Sequence, residues 1–459
     1  MTLDSAWHQK PGQPQGGLGR TLAGRGEAAS ESVSDEAGLA RHEQTHWGAG
    51  ELLGQALARE NVVRAWKHVR ANKGSAGVDG RTVLNTGEYL KTEWPNIRAS
   101  VLDGSYRPEP VRRVGIPKPG GGTRELGIPT VVDRLIQQAL LQVLQPLIDP
   151  TFSEHSHGFR PGRSAHGAVL EAQAYVQAGY RTVVDVDLEK FFDRVNHDIL
   201  MDRLAKRIAD KPVLRLIRRY LQAGILTHGV HSARFEGTPQ GGPLSPLLAN
   251  VLLDEVDREL ERRGHRFVRY ADDCNVYVRS RKAGERVLQA LRGCYARLAL
   301  KVNESKTAVA EVWGRKFLGY CFWAHKDETK RAVAEQAMER LRQRLRELTR
   351  RTSGRSLEQI AAGLRAYVPG WKAYFGLAQT PQVMRRLDAW LRHRLRAVQL
   401  KQWRRGPVIY RELRKLGASE ELAARIASQS RRWWHNSRLG LNRILTVAMF
   451  DRLGVPKFS

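Results

Sequence analysis

Asp272 and Asp273 stand side by side in Tyr270-Ala271-Asp272-Asp273, at the bend between the β-rich runs 267–269 and 274–278. Two adjacent carboxylates at the tip of an apolar hairpin repel each other and are costly to bury unless a cation neutralises them. The pair alone reads equally well as an acidic β-turn. A third carboxylate on a similar element shifts the balance towards metal: residues 181–187 alternate as a strand does, with Val183, Asp185 and Asp187 on one face. Three aspartates meeting at paired strands, together with substrate phosphates, can hold two Mg²⁺ ions, which favour octahedral oxygen shells and rarely sit in all-protein cages. The chemistry this suits is in-line phosphoryl transfer, one ion activating the attacking oxygen and the other steadying the leaving group.

Other elements must bring a substrate to those carboxylates. Residues 111–135 form two β-rich runs around a glycine turn with Lys118 and Arg124 near its tip. Such a hairpin can fold over a triphosphate, although charges on an exposed turn are ordinarily just solvated. Helical spacing from Asp133 to Leu147 leads into the string 156–166, Ser-His-Gly-Phe-Arg-Pro-Gly-Arg-Ser-Ala-His, where Arg160 and Arg163 on a bent loop offer two guanidinium groups to a phosphate backbone. His157 and His166 have no partner at ligand spacing and read as structural. The string 237–250, Gly-Thr-Pro-Gln-Gly-Gly-Pro-Leu-Ser-Pro-Leu-Leu-Ala-Asn, lets the backbone approach a base pair and starts a helix near Ser245. A helix over 284–299 and a strand over 316–322 follow.

Composition points to a polyanionic partner. The formal charge is +29 over 459 residues, and Arg outnumbers Lys roughly three to one. About +19 of it lies in residues 323–459, where helical spacing places Met338, Leu341, Leu345 and Leu348 on one face and arginines elsewhere. A second helix opens at Ser356 with Gln359 as a capping box and stops near Pro369-Gly370; a third starts with Thr380 as cap and Pro381 in its first turn. Beyond Gly406, Arg431, Arg432, Trp433, Trp434 and His435 interleave cations with rings, as base stacking and phosphate contact require. Cys274, Cys294 and Cys321 form no C-x-x-C, which excludes a disulfide framework and an ordinary zinc site. No run of eighteen apolar residues is present, so a soluble cytoplasmic protein with no membrane partner is expected. Residues 1–50, polar and poor in aliphatics, are expected to be disordered.

Taken together, these blocks resemble the reverse transcriptases encoded by bacterial group II introns, and the endonuclease-lacking, class C-like type in particular. The resemblance implies an α+β right-hand polymerase: fingers, a palm built on an antiparallel sheet with helices on one side, a helical thumb, and a small helical C-terminal domain. It implies that Asp187, Asp272 and Asp273 are catalytic and hold Mg²⁺, with the carbonyl of Leu188 as a further ligand and Asp185 as a hydrogen-bonded neighbour. Phe192, five residues after Asp187, would exclude a ribose 2′-hydroxyl; Lys118, Arg124 and Gln240 would contact the incoming deoxynucleotide; Lys306 would stand near the outgoing pyrophosphate as a proton donor. The segment 316–322 resembles the primer grip.

Carried over the chain, the resemblance implies fingers and palm with an N-terminal extension at 51–322, thumb and maturase domain X at 323–405, and a basic DNA-binding-like region at 406–459. The implied partners are group II intron RNA, an RNA template, a DNA primer or target, and deoxynucleotides. Two rivals stay open: a domesticated reverse transcriptase of this lineage serving DNA repair or phage defence, and an RNA-binding splicing factor without polymerase activity.

Overall fold

The computed structural model describes residues 51–117, 122–227, 230–438 and 440–459, and at Arg124, Thr227, Val230 and His231 the backbone alone. The leader expected at 1–50, and Lys118 in the glycine turn, lie outside the described residues.

The first part is a helical layer with a small sheet. Helices α1 (Leu52–Ala56), α2 (Arg59–Ala71) and α3 (Val83–Leu102) precede β1 (Val111–Pro117) and β2 (Thr123–Ile128), then α4 (Val131–Ile148). The start of α4 is fixed by Thr130, whose hydroxyl accepts from the Asp133 amide at 3.1 Å. Apolar residues at helical spacing then bury Leu135, Ile136, Ala139, Leu140 and Leu144.

The central part carries the sheet of interest. It runs α5 (Ala165–Gln177), β3 (Thr182–Val186), α6 (His197–Ala205), α7 (Lys211–Gln222), β4 (Ile225–Thr227), β5 (Val230–Ser232), α8 (Ser245–Arg262), β6 (Arg266–Tyr270), β7 (Asp273–Val278), α9 (Arg281–Arg297) and β8 (Ala308–Glu311). The antiparallel sheet has the order β6-β7-β3-β8, so β3 is flanked on both sides, and Val183, Val184 and Val186 are all buried. Its core continues into α8, where Leu247, Leu248, Val251, Leu252 and Val256 pack with Val184, Val276 and α9. A second sheet, β2-β1-β4-β5, joins the early hairpin to the centre through a parallel pairing of Val111 with Ile225.

The last part begins with β9 (Lys316–Phe317), β10 (Tyr320–His325) and β11 (Glu328–Val333), followed by α10 (Glu335–Leu348), α11 (Leu357–Phe375), α12 (Pro381–Trp403), α13 (Gly406–Lys415), α14 (Glu420–Ser428), α15 (Trp433–Asn436) and α16 (Val447–Arg452). The mixture of helices and small sheets is an α+β architecture.

Three expectations for this region need correction. The strand over 316–322 is a hairpin: Phe317 pairs with Tyr320, and Leu318 and Gly319 both take positive φ, 51° and 80°, as a two-residue turn between strands demands. Leucine is a poor residue there, and a tertiary contact holds it, the Tyr374 hydroxyl donating to the Leu318 carbonyl at 2.9 Å. Helix α11 does not stop at Pro369-Gly370 but runs to Phe375; its apolar face continues past the proline from Val368 to Trp371 and Phe375, which pack in the same core. The Ser356–Gln359 capping box is present, whereas the Thr380 side chain makes no cap bond and Pro381 alone marks the start of α12.

Candidate active site

Strand register brings the distant carboxylates together. Val186 of β3 pairs with Cys274 of β7, so one step further along places Asp187 beside Asp273. β6 and β7 close through Ala271-Asp272, with Tyr270 opposite Asp273, which sets Asp272 at the tip of the bend. The Asp273 side chain is open to solvent on one edge, yet desolvation by the surrounding protein and the charges of Asp272, Asp185 and Asp187 push its carboxyl up to about 7, with Lys316 opposing.

The turn 303–307 wraps around Asp187. The Asn303 amide donates to the Asp187 carbonyl at 2.8 Å, the Asn303 side chain to Asp187 Oδ1 at 3.1 Å, and the Asp187 amide to the Thr307 hydroxyl at 3.2 Å. Lys306 Nζ lies 3.5 Å from Asp187 Oδ2. Asp185, on the same face of β3, is neutralised by Arg315 at 2.6 Å. The two aspartates of this strand therefore differ: Asp185 is held by a guanidinium, and Asp187 by amides, with a single exposed ammonium near its outer oxygen.

The bend itself is held from below by a buried ion pair that sequence reasoning missed. Arg269 and Asp257 are both 0% exposed and meet at 2.5 Å. Arg269 Nη1 also donates to Asn250 Oδ1 and to the Ala271 carbonyl, each at 2.9 Å. Ala271 takes φ of 57°, a conformation that costs a non-glycine residue about 1 kcal/mol, and the bond to its carbonyl fixes it there. The sequence shows Asn250, Asp254 and Asp257 at helical spacing on α8, polar positions set among buried leucines and valines, but not that two of them meet Arg269.

Gly158 belongs to the same support. The His157 amide donates to the Arg269 carbonyl at 2.8 Å and the Arg269 amide to the His155 carbonyl at 2.9 Å, laying the loop along β6. A Cβ at Gly158 would come within 2.1 Å of the Ala271 nitrogen. The loop thus supports the bend, and the expectation is corrected for Arg160, which is withdrawn from any phosphate backbone. Arg160 is buried, bound to Asp149 at 3.0 Å and to the Ser156 carbonyl at 2.9 Å, and Arg163 is engaged by Glu154. His157 meets Glu171 at 2.6 Å and His166 meets the Tyr374 carbonyl at 2.5 Å, structural contacts both.

The remaining candidates fall around this centre. Phe192 is buried in the core, edge-on to Phe191 at 5.1 Å, and its carbonyl accepts from the Thr238 amide at 2.7 Å, joining the segment after Asp187 to the Gly237–Gly242 loop. The Gln240 carbonyl accepts from Gly127 of β2 at 3.2 Å, and a Cβ at Gly241, where φ is 147°, would stand 2.7 Å from the Gly127 carbonyl. The hairpin that bears Arg124, three residues before Gly127, is therefore docked on the Gln240 loop, with Arg124 paired to Ile116 in the strand. Leu188 buries its side chain in the core and bridges to Val302. In the C-terminal region, Trp434 stacks on His393 at 3.7 Å, and Lys401 lies 4.1 Å over Trp433, so both rings already have partners within the chain.

This geometry can be set against known proteins. A family model for reverse transcriptase (RNA-dependent DNA polymerase) matches residues 116–322, and one for the group II intron maturase-specific domain matches residues 338–417. Protein YkfC of Escherichia coli (strain K12) is 32% identical over 311 residues, covering 59% of this chain and 82% of that protein. The chain belongs to the group II intron reverse transcriptase and maturase family. Another member of this family, the group II intron-encoded protein LtrA of Lactococcus lactis subsp. cremoris, is 38% identical over 195 residues, 42% of this chain and 32% of LtrA, so the chain spans about a third of that relative. Among solved structures, a chain of a partial Cas6-RT-Cas1--Cas2 complex matches at 26% identity over 54% of this chain and 42% of its own length, with a TM-score of 0.36.

Reverse transcriptases of this group are RNA-directed DNA polymerases that use divalent metal ions and act on nucleic acid. The residues present fit such ions. Among the described residues no group of three His, Cys, Asp or Glu side chains converges tightly enough to hold a cation alone. Ions of this kind take much of their shell from substrate phosphates and water, so the protein need offer only a few partly open carboxylates, a part that Asp187, Asp272 and Asp273 could fill. No helix among the described residues is long and apolar enough to cross a membrane.

Proposed function

We propose that the chain binds a group II intron RNA, assists its splicing, and copies RNA into DNA from a primer at a target site, in the bacterial cytoplasm. The observation that carries this reading is the register that sets Asp187 beside Asp273 at the Tyr-Ala-Asp-Asp bend, in a chain whose next segment matches the maturase-specific domain. Asp187, Asp272 and Asp273 would hold two Mg²⁺ ions, with the Leu188 carbonyl as an additional donor, and ions bound there would supply Lewis acidity for the primer 3′-hydroxyl and charge stabilisation for the leaving pyrophosphate. Phe192 excludes the ribose 2′-hydroxyl by its bulk. Gln240, on a loop docked against the β1–β2 hairpin, lines the deoxynucleotide pocket together with Lys118 and Arg124. Lys306, beside Asp187, supplies a proton to the departing pyrophosphate. Residues 51–322 act as fingers and palm, 323–405 as the thumb and maturase domain, and 406–459 as a basic nucleic-acid-binding region.

The test is primer extension by the double variant Asp272→Ala, Asp273→Ala. DNA synthesis on an RNA template is expected to vanish, while protein-assisted intron splicing persists, because the RNA performs that chemistry and the protein contributes binding. Synthesis at the wild-type rate would remove the assignment of these carboxylates.

A further inference from the structure

At the end of the β6–β7 hairpin remote from the aspartates lies a cavity of about 350 Å³, lined by Tyr180, Arg263, His265, Arg266, Arg279 and Arg286. Four residue steps of strand separate Arg266 from Tyr270, about 13 Å at the usual rise, so the cavity lies at the opposite end of the hairpin from the bend. Of its four lining arginines, Arg263 is paired with Glu259, while Arg266 and Arg279 reach the neutral Tyr180 hydroxyl. The carboxylates at the adjoining ends of α8 and α9 are already engaged: Glu259 with Arg262 and Arg263, Glu261 with Arg258, Glu285 with Arg281. Among the described residues, Arg266, Arg279 and Arg286 form no ion pair with a carboxylate, and all three are exposed. Burial and the neighbouring Arg263 charge hold the His265 imidazole below its ordinary range.

The adjoining helix adds to the field. Ala283 in the first turn of α9 lines the cavity, and that turn carries Arg281 and Lys282 with no acid, the reverse of what the positive end of a 17-residue helix favours. An anion seated there would relieve both the arginines and the helix terminus. Its chemistry can be narrowed. Arg279 lies 5.0 Å over one face of the Tyr180 ring, and Tyr277 is buried, so little aromatic surface faces the cavity. Planar guanidinium forks clustered around a cavity suit phosphate oxygens.

We infer that this cavity is a second RNA site, which takes backbone phosphates of a folded RNA while the cleft at Asp187 and Asp273 holds primer and template. It rests on the proposed function only in taking the polyanion to be RNA. The test uses the full chain saturated with a primer annealed to a short RNA template, into which a fluorescent RNA hairpin is titrated over a series of salt concentrations. Arg279→Glu with Arg286→Glu is expected to weaken the hairpin about tenfold or more and to reduce the slope of log affinity against log salt by about two, near one per lost phosphate contact. Primer extension on the short template is expected to be unchanged in the same samples. The neutral pair Arg279→Gln, Arg286→Gln is expected to lower the slope by a similar amount, and serves if the reversed pair does not fold. Unchanged hairpin affinity and slope in the neutral pair overturn the inference, as does displacement of the hairpin by free ATP, which would make the cavity a mononucleotide site. Loss of extension in the Asp272 and Asp273 variant leaves this result untouched, so the two readings fail separately.

Discussion

Arg269 illustrates how a side chain with no access to substrate can govern a catalytic bend. Its guanidinium spends its donors on Asp257, Asn250 and the Ala271 carbonyl, so the unusual φ at Ala271 is held by a group that is itself fixed on α8. Breaking a buried pair from one side leaves an uncompensated charge, and Asp257→Asn is expected to lower the unfolding free energy by about 3–5 kcal/mol, measured by urea denaturation. A loss below about 1 kcal/mol would mean that the pair is not buried as described. A second pair behind the bend titrates. A bond to Glu171 raises the His155 imidazole above 6.5, against the opposing effect of burial. Desolvation would raise the Glu171 carboxyl, but bonds from His155, His157 and Tyr175 outweigh it and hold it at about 2. The His155 contribution is full below 6.5 and fades as pH rises through the folded value; the Glu171 contribution is full above 4.5 and fades as pH falls towards about 2. The stability lost in Glu171→Gln, followed by thermal unfolding across pH, is therefore expected to peak between about 4.5 and 6.5 and to shrink above neutrality. A loss independent of pH would show that the charges of the pair contribute nothing.

Elements were unevenly legible in the sequence. The run at 181–187 announces a strand by alternation and those at 267–269 and 274–278 by β-rich composition, and α4, α8, α9, α10 and the capping box of α11 show through apolar spacing and end signals. Errors arose where tertiary contacts overrule local rules: the Leu318-Gly319 turn depends on Tyr374 from a distant helix, and Pro369 is carried by the apolar face of α11. The 156–166 loop misled for a related reason, since arginines on a bent loop look solvated until Asp149, Glu154 and the strand of Arg269 are seen around them. Interlocking of elements is strictest at the Gln240 loop. Gly241→Ala places a methyl group 2.7 Å from the Gly127 carbonyl in a backbone conformation that alanine resists, and must part β2 from the loop. Since misplacement by about 1 Å can cost on the order of a hundredfold, kcat/KM for deoxynucleotide is expected to fall by about 10–100-fold in steady-state primer extension. An unaltered value would show that the docking of these elements does not shape the nucleotide pocket.

For the molecule as a whole, charge and register carry the account. The excess of +29 is concentrated after residue 322, on the exposed faces of α10 to α12 and beyond, whose arginines flank a continuous apolar core. Faces of that charge draw a polyanion along their length. The carboxylates were legible as residue types, and the metal chemistry of three aspartates is what suggested that their strands pair. Their support was not, because Gly158, Asn250 and Asp257 meet the bend only through long-range packing. The central claim is that Asp187 and the Asp272–Asp273 bend share divalent ions. Diffraction from crystals of the chain with primer, RNA template, a non-reacting deoxynucleotide analogue and Mn²⁺, recorded at the manganese absorption edge, tests it most directly. Anomalous peaks between the Asp187 and Asp273 carboxylates, absent in Asp187→Asn, are the expected result; manganese bound elsewhere, with no peak between those two side chains, would contradict it.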